Sequence, residues 1–357
     1  MVDGLSILWL LEAADLSGTS FAARHLAAGM LRAGHKLSIF ALRPGEISLD
    51  FERIGCPVNV FPHLGRMLIG KSALRASSAL DIRLVHVQSP KSLARGRRFA
   101  KALRIPLVVT ANRMDPDELE RLAEYDGCGI VAVSEAIRER LANAHGVPQS
   151  RIRVIPNGLD LSRMPKPDFT EAPRLRGRVS VVGTLGQLAE QKGQRVFLQA
   201  VRALIDRGID AEYVILGDGP DRQALRSLAE ELGISKRVTF TPQTVSGQLT
   251  QLDVLVEPSL REGLGLSVMQ AMAMGVPVVG TGVGGLYSLI EDGKTGLMVK
   301  ANDPLGLADA IERILSDPVG RNEMRRQARE LVEREFDAEL VAEKLARYYR
   351  ECLEADF

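Results

Sequence analysis

The feature that most constrains this chain is a cycle that runs twice. Short apolar runs bounded by turn residues are each followed by an amphipathic stretch, and the cycle halts at a Pro-, Lys-, Asp- and Glu-rich segment between Pro165 and Pro173 before restarting. Apolar runs of strand length that alternate with helical stretches mark a parallel sheet with crossover helices, because strands buried on both faces show no polar alternation. The expected strands are 6–11, 36–41, 58–61, 84–88, 107–111, 129–133 and 152–155, then 179–182, 211–216, 238–240, 254–256, 278–281 and 296–299. From Pro304 on only helical spacing remains, with Leu307, Ile311 and Ile314, and later Val341, Leu345 and Tyr348, on single faces. A chain of 357 residues has length for about two domains. They are expected at 1–168 and 174–336, with the helix from 337 to 357 packing back on the first. Open parallel sheets bind ligands at the carboxyl ends of their strands, so two doubly wound domains facing each other would hold one in the cleft between them.

Cys56, Cys128 and Cys352 lie far apart without metal-ligand spacing, which argues against a disulfide framework or a structural zinc site and for a reducing, cytoplasmic setting. No apolar run approaches the roughly eighteen residues of a membrane span. The first run follows Asp3 without a basic flank, so it reads as a strand and not as a signal peptide. Net charge is +1, but residues 1–170 carry 23 Lys and Arg against 17 Asp and Glu, and the remainder 23 against 28. Between Ile82 and Met114 every charged residue is basic: Arg83, Lys91, Arg95, Arg97, Arg98, Lys101, Arg104 and Arg113. This is either a solvated helix face or a surface for an anionic partner, with peripheral contact to the inner face of an anionic membrane, or to an anionic glycan, as the specific readings. Aromatics make up only 4% and barely interleave the patch, so nucleic acid is not expected as a partner.

The segment 255–281 is the most informative. A strand ends before Pro258, a turn with Gly263 and Gly265 follows, and a helix of small residues runs from Leu266. Amides at such a turn and helix start can bind phosphate or sugar oxygens, and Glu262 at its mouth can accept from hydroxyls. The same glycines could serve only to pack helix on sheet.

The run Glu262-Gly263-Leu264-Gly265, followed by Ala271-Met272-Ala273 and by Gly275-Val276-Pro277-Val278-Val279, resembles the retaining family-four glycosyltransferases of the GT-B fold. Val182-Gly183-Thr184-Leu185-Gly186-Gln187 through Gln191-Lys192-Gly193 resembles their diphosphate-binding loop, and Gly217-Asp218-Gly219-Pro220 the turn after their next strand. Ile155-Pro156-Asn157-Gly158 with Asp160 also matches, so the resemblance spans nearly the whole chain. It implies an α/β chain of two Rossmann-like domains that moves a hexose from a nucleotide diphosphate sugar to a glycan or glycolipid hydroxyl, as in polysaccharide or lipopolysaccharide biosynthesis. It implies no metal and no cofactor beyond the donor. Lys192 would hold the diphosphate and Glu262 the hexose. The amides of Gly263, Leu264 and Gly265 would line sugar and phosphate, Gly18 would let backbone approach the diphosphate, and Gly183, Gln187, Gly217 and Gln270 would complete the donor site.

Three departures from the pattern bear on activity. Gln187 stands where the family places an arginine, Gln270 where it places a second glutamate, and Asn112, in Thr110-Ala111-Asn112, where it brings a histidine to the reacting centre. Asn112 can hydrogen-bond a hydroxyl but cannot take a proton. An alternative to a working transferase is therefore a glycosyltransferase-like protein that binds or scaffolds without turnover. A dehydrogenase is disfavoured, since no Gly-x-Gly-x-x-Gly follows the first strand.

Overall fold

The computed structural model describes residues 4–60, 81–125, 127, 129–169, 179–242 and 248–355. The expected strand end at 61, Cys128 and the linker residues from 170 to 173 lie outside these. The chain forms two compact units, one of residues 1–160 with 336–357 and one of residues 161–335.

The first unit carries a parallel sheet of β1 (Ser6–Ala13), β2 (Lys36–Arg43), β3 (Val58–Val60), β4 (Leu84–Val87), β5 (Leu107–Ala111), β6 (Gly129–Ala132) and β7 (Ile152–Val154), in the order β3-β2-β1-β4-β5-β6-β7. Every residue of β4, β5 and β6 is buried, which is why these runs show no polar alternation in the sequence. Local chemistry sets the helix ends. Ser134 caps the helix Glu135–His145 by accepting from the Ile137 amide at 3.4 Å, and Gly146, at φ 67°, closes it.

The second unit repeats the arrangement with β8 (Ser180–Leu185), β9 (Ala211–Leu216), β10 (Val238–Thr241), β11 (Val254–Glu257), β12 (Val278–Thr281) and β13 (Leu297–Val299), ordered β10-β9-β8-β11-β12-β13. Val182, Tyr213, Ile215, Val254, Val256 and Val279 share one core with Phe197, Val201 and Leu204 of the helix Gln194–Asp206 and with Leu307, Ile311 and Ile314 of the helix Pro304–Ser316. The strand expected at 179–182 runs on to Leu185, because pairing with β9 continues to Leu185↔Leu216.

The helical tail divides into Pro304–Ser316, Pro318–Glu335 and Ala338–Glu354, and the last belongs to the first unit. Asp337 caps it through the Glu339 amide at 2.8 Å. Tyr349 on this helix accepts from the Trp9 indole of β1 at 3.1 Å, which ties the chain's end to its first strand. Among the described residues no helix is long and apolar enough to cross a membrane.

In both sheets the chain builds two neighbours on one side of the first strand and then crosses to the other. The order therefore reverses between β1 and β4 and again between β8 and β11, and the crevice at such a reversal is where open α/β sheets take their ligands.

Candidate functional site

The carboxyl ends of β8 and β11 bring together residues far apart in sequence. After β8 the chain makes a turn, Glu190–Lys192, and reverses at Gly193 into the helix Gln194–Asp206. Gly193 has φ 65°, and a Cβ there would lie 2.0 Å from the Pro258 carbonyl oxygen, so only glycine lets this loop close on the end of β11. The Gln191 carbonyl accepts from the Leu260 amide at 2.8 Å and from that of Arg261 at 3.3 Å, zipping the two loops together.

This closure places one ammonium between two carboxylates. Lys192 Nζ donates to Glu257 Oε1 at 3.3 Å and to Glu262 Oε2. Burial favours the neutral amine, but Glu257 and Glu262 more than offset this and hold the Lys192 pKa above the ordinary lysine range. Burial likewise pushes Glu262 upward, and Lys192 with the Gly263 and Leu264 amides outweighs it, so Glu262 ionises below the usual carboxylate range. The Gly263 amide reaches Glu262 Oε1 at 3.0 Å. The amides of Gly263 and Leu264, expected to line a sugar and phosphate, thus rest on the Glu262 carboxylate here. Gly265 precedes the helix Leu266–Ala273, with φ 102°.

Nothing in its sequence context singles out Glu257, which reads there as the polar end of an apolar strand. It is 1% exposed and accepts from the Ser259 hydroxyl on Oε1 and from the Ser267 hydroxyl on Oε2.

The remaining expected donor residues are spread more widely. Gln187 is exposed in the loop after β8, and its carbonyl accepts from the Gln194 side chain at 2.9 Å. Gln270 is half-buried on the helix Leu266–Ala273. Gly217 packs the loop after β9 against the loop after β8, where a Cβ would lie 1.9 Å from the Gly186 oxygen. Gly183 sits inside β8, where a Cβ would crowd Leu252 at 2.7 Å, so its absent side chain serves sheet packing. Among the described residues no group of three or more His, Cys, Asp or Glu could hold a metal ion.

In the first unit, Gly18 opens the helix Gly18–Arg32 after β1, an exposed position where a Cβ would meet nothing within 4 Å. Asn112 follows β5, and its Nδ2 donates to the Gln88 carbonyl at 2.7 Å. Behind it lies a neutral network. His86 Nε2 meets Thr110 Oγ1 at 2.7 Å, while Nδ1 faces the Tyr349 hydroxyl and the Gln88 amide nitrogen. Since Gln88 Nε2 can only donate, Nδ1 is the acceptor and Nε2 carries the proton. Burial drives the His86 pKa down to about 3. His25 is lowered to about 3 by burial and by Arg24, and its Nδ1 accepts from the Asp160 amide at 3.3 Å. Asp160 itself is held by Arg24 at 3.3 Å and Arg32 at 3.1 Å.

The basic segment is divided in use. Lys91 approaches Glu118 at 3.6 Å and Arg97 donates to the Glu124 carbonyl at 3.0 Å, whereas Arg95, Arg98, Lys101 and Arg104 are exposed along and just after the helix Leu93–Leu103.

Comparison with known proteins agrees in both units. A family model described as "Glycosyl transferases group 1" matches residues 179–317, and one described as "Glycosyltransferase Family 4" matches residues 16–163. The chain is 31% identical to D-inositol 3-phosphate glycosyltransferase of Corynebacterium glutamicum, over 70% of this chain and 68% of that one. It is 32% identical to 2-deoxystreptamine glucosyltransferase of Streptomyces kanamyceticus, covering 66% of this chain and 63% of that one. The solved structure of HepE from Anabaena with UDP and glucose has a TM-score of 0.83 at 22% identity, over 97% of this chain and 99% of that one. Sucrose-phosphate synthase from Thermosynechococcus elongatus has 0.79 at 20%, over 98% and 100%. Identities this low speak to fold alone.

Proposed function

Since this chain belongs to the glycosyltransferases of the GT-B fold, we propose that it moves a hexose from a nucleotide diphosphate sugar to a hydroxyl of a glycan or glycolipid, with retention of configuration and without a metal ion. The observation that carries this reading is the ammonium of Lys192, fixed at the reversal between β8 and β11 beside the Glu262–Gly265 turn. A departing nucleoside diphosphate concentrates negative charge, and a preorganised cation at the strand ends stabilises that charge as it develops. Lys192 would take the diphosphate, Glu262 would accept from hydroxyls of the hexose, and Gln270 would accept from the ribose. Asn112, with Nδ2 committed to Gln88, keeps Oδ1 as an acceptor for a sugar hydroxyl. No side chain among these is placed as a base for the acceptor, which suits a mechanism in which the leaving diphosphate receives the acceptor's proton on the same face.

The exposed face of Arg95, Arg98, Lys101 and Arg104 would meet anionic lipid at the cytoplasmic face of a membrane, where a glycolipid acceptor resides. Co-sedimentation with anionic but not neutral vesicles tests that part. A second reading, donor binding without turnover, is favoured by Gln187, Gln270 and Asn112, which put amides where the family pattern has ionisable groups.

One experiment separates the readings: thermal unfolding with a panel of nucleotide sugars, for the natural chain and for Lys192→Ala. A donor at about one hundred times its Kd should add about 2.7 kcal/mol to the natural chain and little to the variant. Slow hydrolysis of that donor supports the transferase, and binding without hydrolysis or transfer supports the second reading. If no nucleotide sugar shifts the melting temperature, both are wrong.

A further inference from the structure

Glu257 is a buried charged group at this site that the proposed reaction leaves unused. Its two oxygens are taken by three donors, Lys192 at 3.3 Å, Ser259 and Ser267, and its side chain is sealed from solvent at the end of β11. It is therefore a negative charge fixed against the ammonium. With Glu262 on the same nitrogen, Lys192 faces two carboxylates, and the trio carries a net charge of one negative before any ligand arrives. A site built to hold a diphosphate as tightly as possible would leave the lysine alone or add a second cation. Here the loop after β8 offers neutral Gln187, and β11 adds an opposing charge. Both features act in the same direction.

We infer that Glu257 is a positioning residue that limits the grip of Lys192 on a nucleoside diphosphate and so weakens binding of the free diphosphate more than that of the intact sugar donor. The inference rests on the donor-site reading above. When the bond between the sugar and the β-phosphate oxygen breaks, its electron pair stays on that oxygen, so the free diphosphate carries one more negative charge than the donor. Repulsion from a fixed carboxylate grows with the charge it faces, and a buried carboxylate is poorly screened by salt. Glu257 thus acts more strongly on the product than on the substrate. Its effect is to hasten product release, a step that limits turnover in many enzymes.

Calorimetric titration of the full chain with UDP, GDP and ADP, and with the glucose conjugate of each, identifies which nucleotide binds. The same titrations on Glu257→Gln then remove the charge while keeping an oxygen for Lys192 and the Ser259 hydroxyl and an amide N–H that the Ser267 hydroxyl can accept. The expected result is about tenfold tighter binding of the free diphosphate and only about threefold tighter binding of the conjugate, with a lower kcat. Ser267→Ala, which deletes a hydrogen bond and no charge, should leave the ratio of the two affinities at its natural value. If Glu257→Gln fails to fold, Glu257→Leu removes the same charge and should raise the same ratio. A ratio that stays constant or falls in a folded variant overturns the inference. A natural chain that binds none of these ligands overturns the donor-site reading itself, and the role of Glu257 with it.

Discussion

The two sheets share a strand order and a reversal point, but they finish their strand ends in opposite chemistry. At β4 and β5 the polar groups are neutral and bonded among themselves: His86 to Thr110, Gln88 and Tyr349, and Asn112 to the Gln88 carbonyl. At β8 and β11 they are charged, an ammonium and two carboxylates held by loops that approach each other through glycine. The difference teaches that the shared architecture supplies only a crevice. Charge at the crevice depends on a few loop residues and on how closely their backbones can pack.

A pair of alanine substitutions probes that contrast most strongly. Gly193 and Gly146 have nearly the same left-handed backbone, φ 65° and 67°, but a Cβ at Gly193 would press on the Pro258 carbonyl, while one at Gly146 would meet nothing within 4 Å. Gly146→Ala should cost about 1 kcal/mol, the conformational penalty alone. Gly193→Ala must also move backbone and should cost about 3 kcal/mol or more, with loss of nucleotide binding as Lys192 swings off its partners. Trp9, the single tryptophan, lies in the first unit, so its emission follows that unit's unfolding while calorimetry follows both. Equal costs for the two substitutions would mean that the closure at Gly193 does not hold the site.

Much of this division is legible in the sequence. The strands were visible because parallel strands buried on both faces are continuous apolar runs, and Lys192 and Glu262 were visible because each sits in a short local motif. Glu257 was not, since its lysine partner lies 65 residues away and nothing local distinguishes it from a strand's polar end. The His86–Tyr349 contact spans 263 residues and joins a strand to a helix that periodicity could place but not aim. Gly183 shows the converse: as part of a loop motif it reads as phosphate-binding, whereas its surroundings in β8 make it a packing residue against Leu252.

Tyr349→Phe tests the neutral side. The hydroxyl accepts from Trp9 and faces His86 Nδ1, so its removal strands a buried indole N–H and leaves the imidazole acceptor with Gln88 alone. The expected cost is about 2 kcal/mol, because a buried donor without a partner keeps its full desolvation penalty. The loss should appear in the first unit's Trp9 transition and leave nucleotide affinity at the second unit unchanged. A variant whose affinity fell in step with its stability would show that the two strand ends are coupled.

The smallest effect separates the units by pH. All five histidines lie in the first 160 residues, and His25 and His86 are held near a pKa of about 3 against an ordinary 6.5. Well above pH 6.5 neither folded nor unfolded chain protonates them and they contribute no pH dependence. Below it the unfolded chain takes up protons that the folded chain refuses, so stability falls steadily until the folded values are reached near pH 3. The loss should be about 0.8 kcal/mol for each of the two at pH 6.0. Glu262 in the second unit has a folded pKa below the ordinary 4.5, so the stability it contributes is present above that value and is lost only as pH falls through the lowered one. Between pH 4.5 and 6.5 the Trp9 transition should therefore move down while ligand-monitored unfolding of the second unit stays put. His86 packs edge-on against Trp9 at 5.9 Å, and an imidazolium there would quench the indole. Trp9 emission of the folded chain should accordingly stay flat across this window; a quenching titration centred near 6.5 would show that His86 is not held neutral and would remove the contrast between the two strand ends.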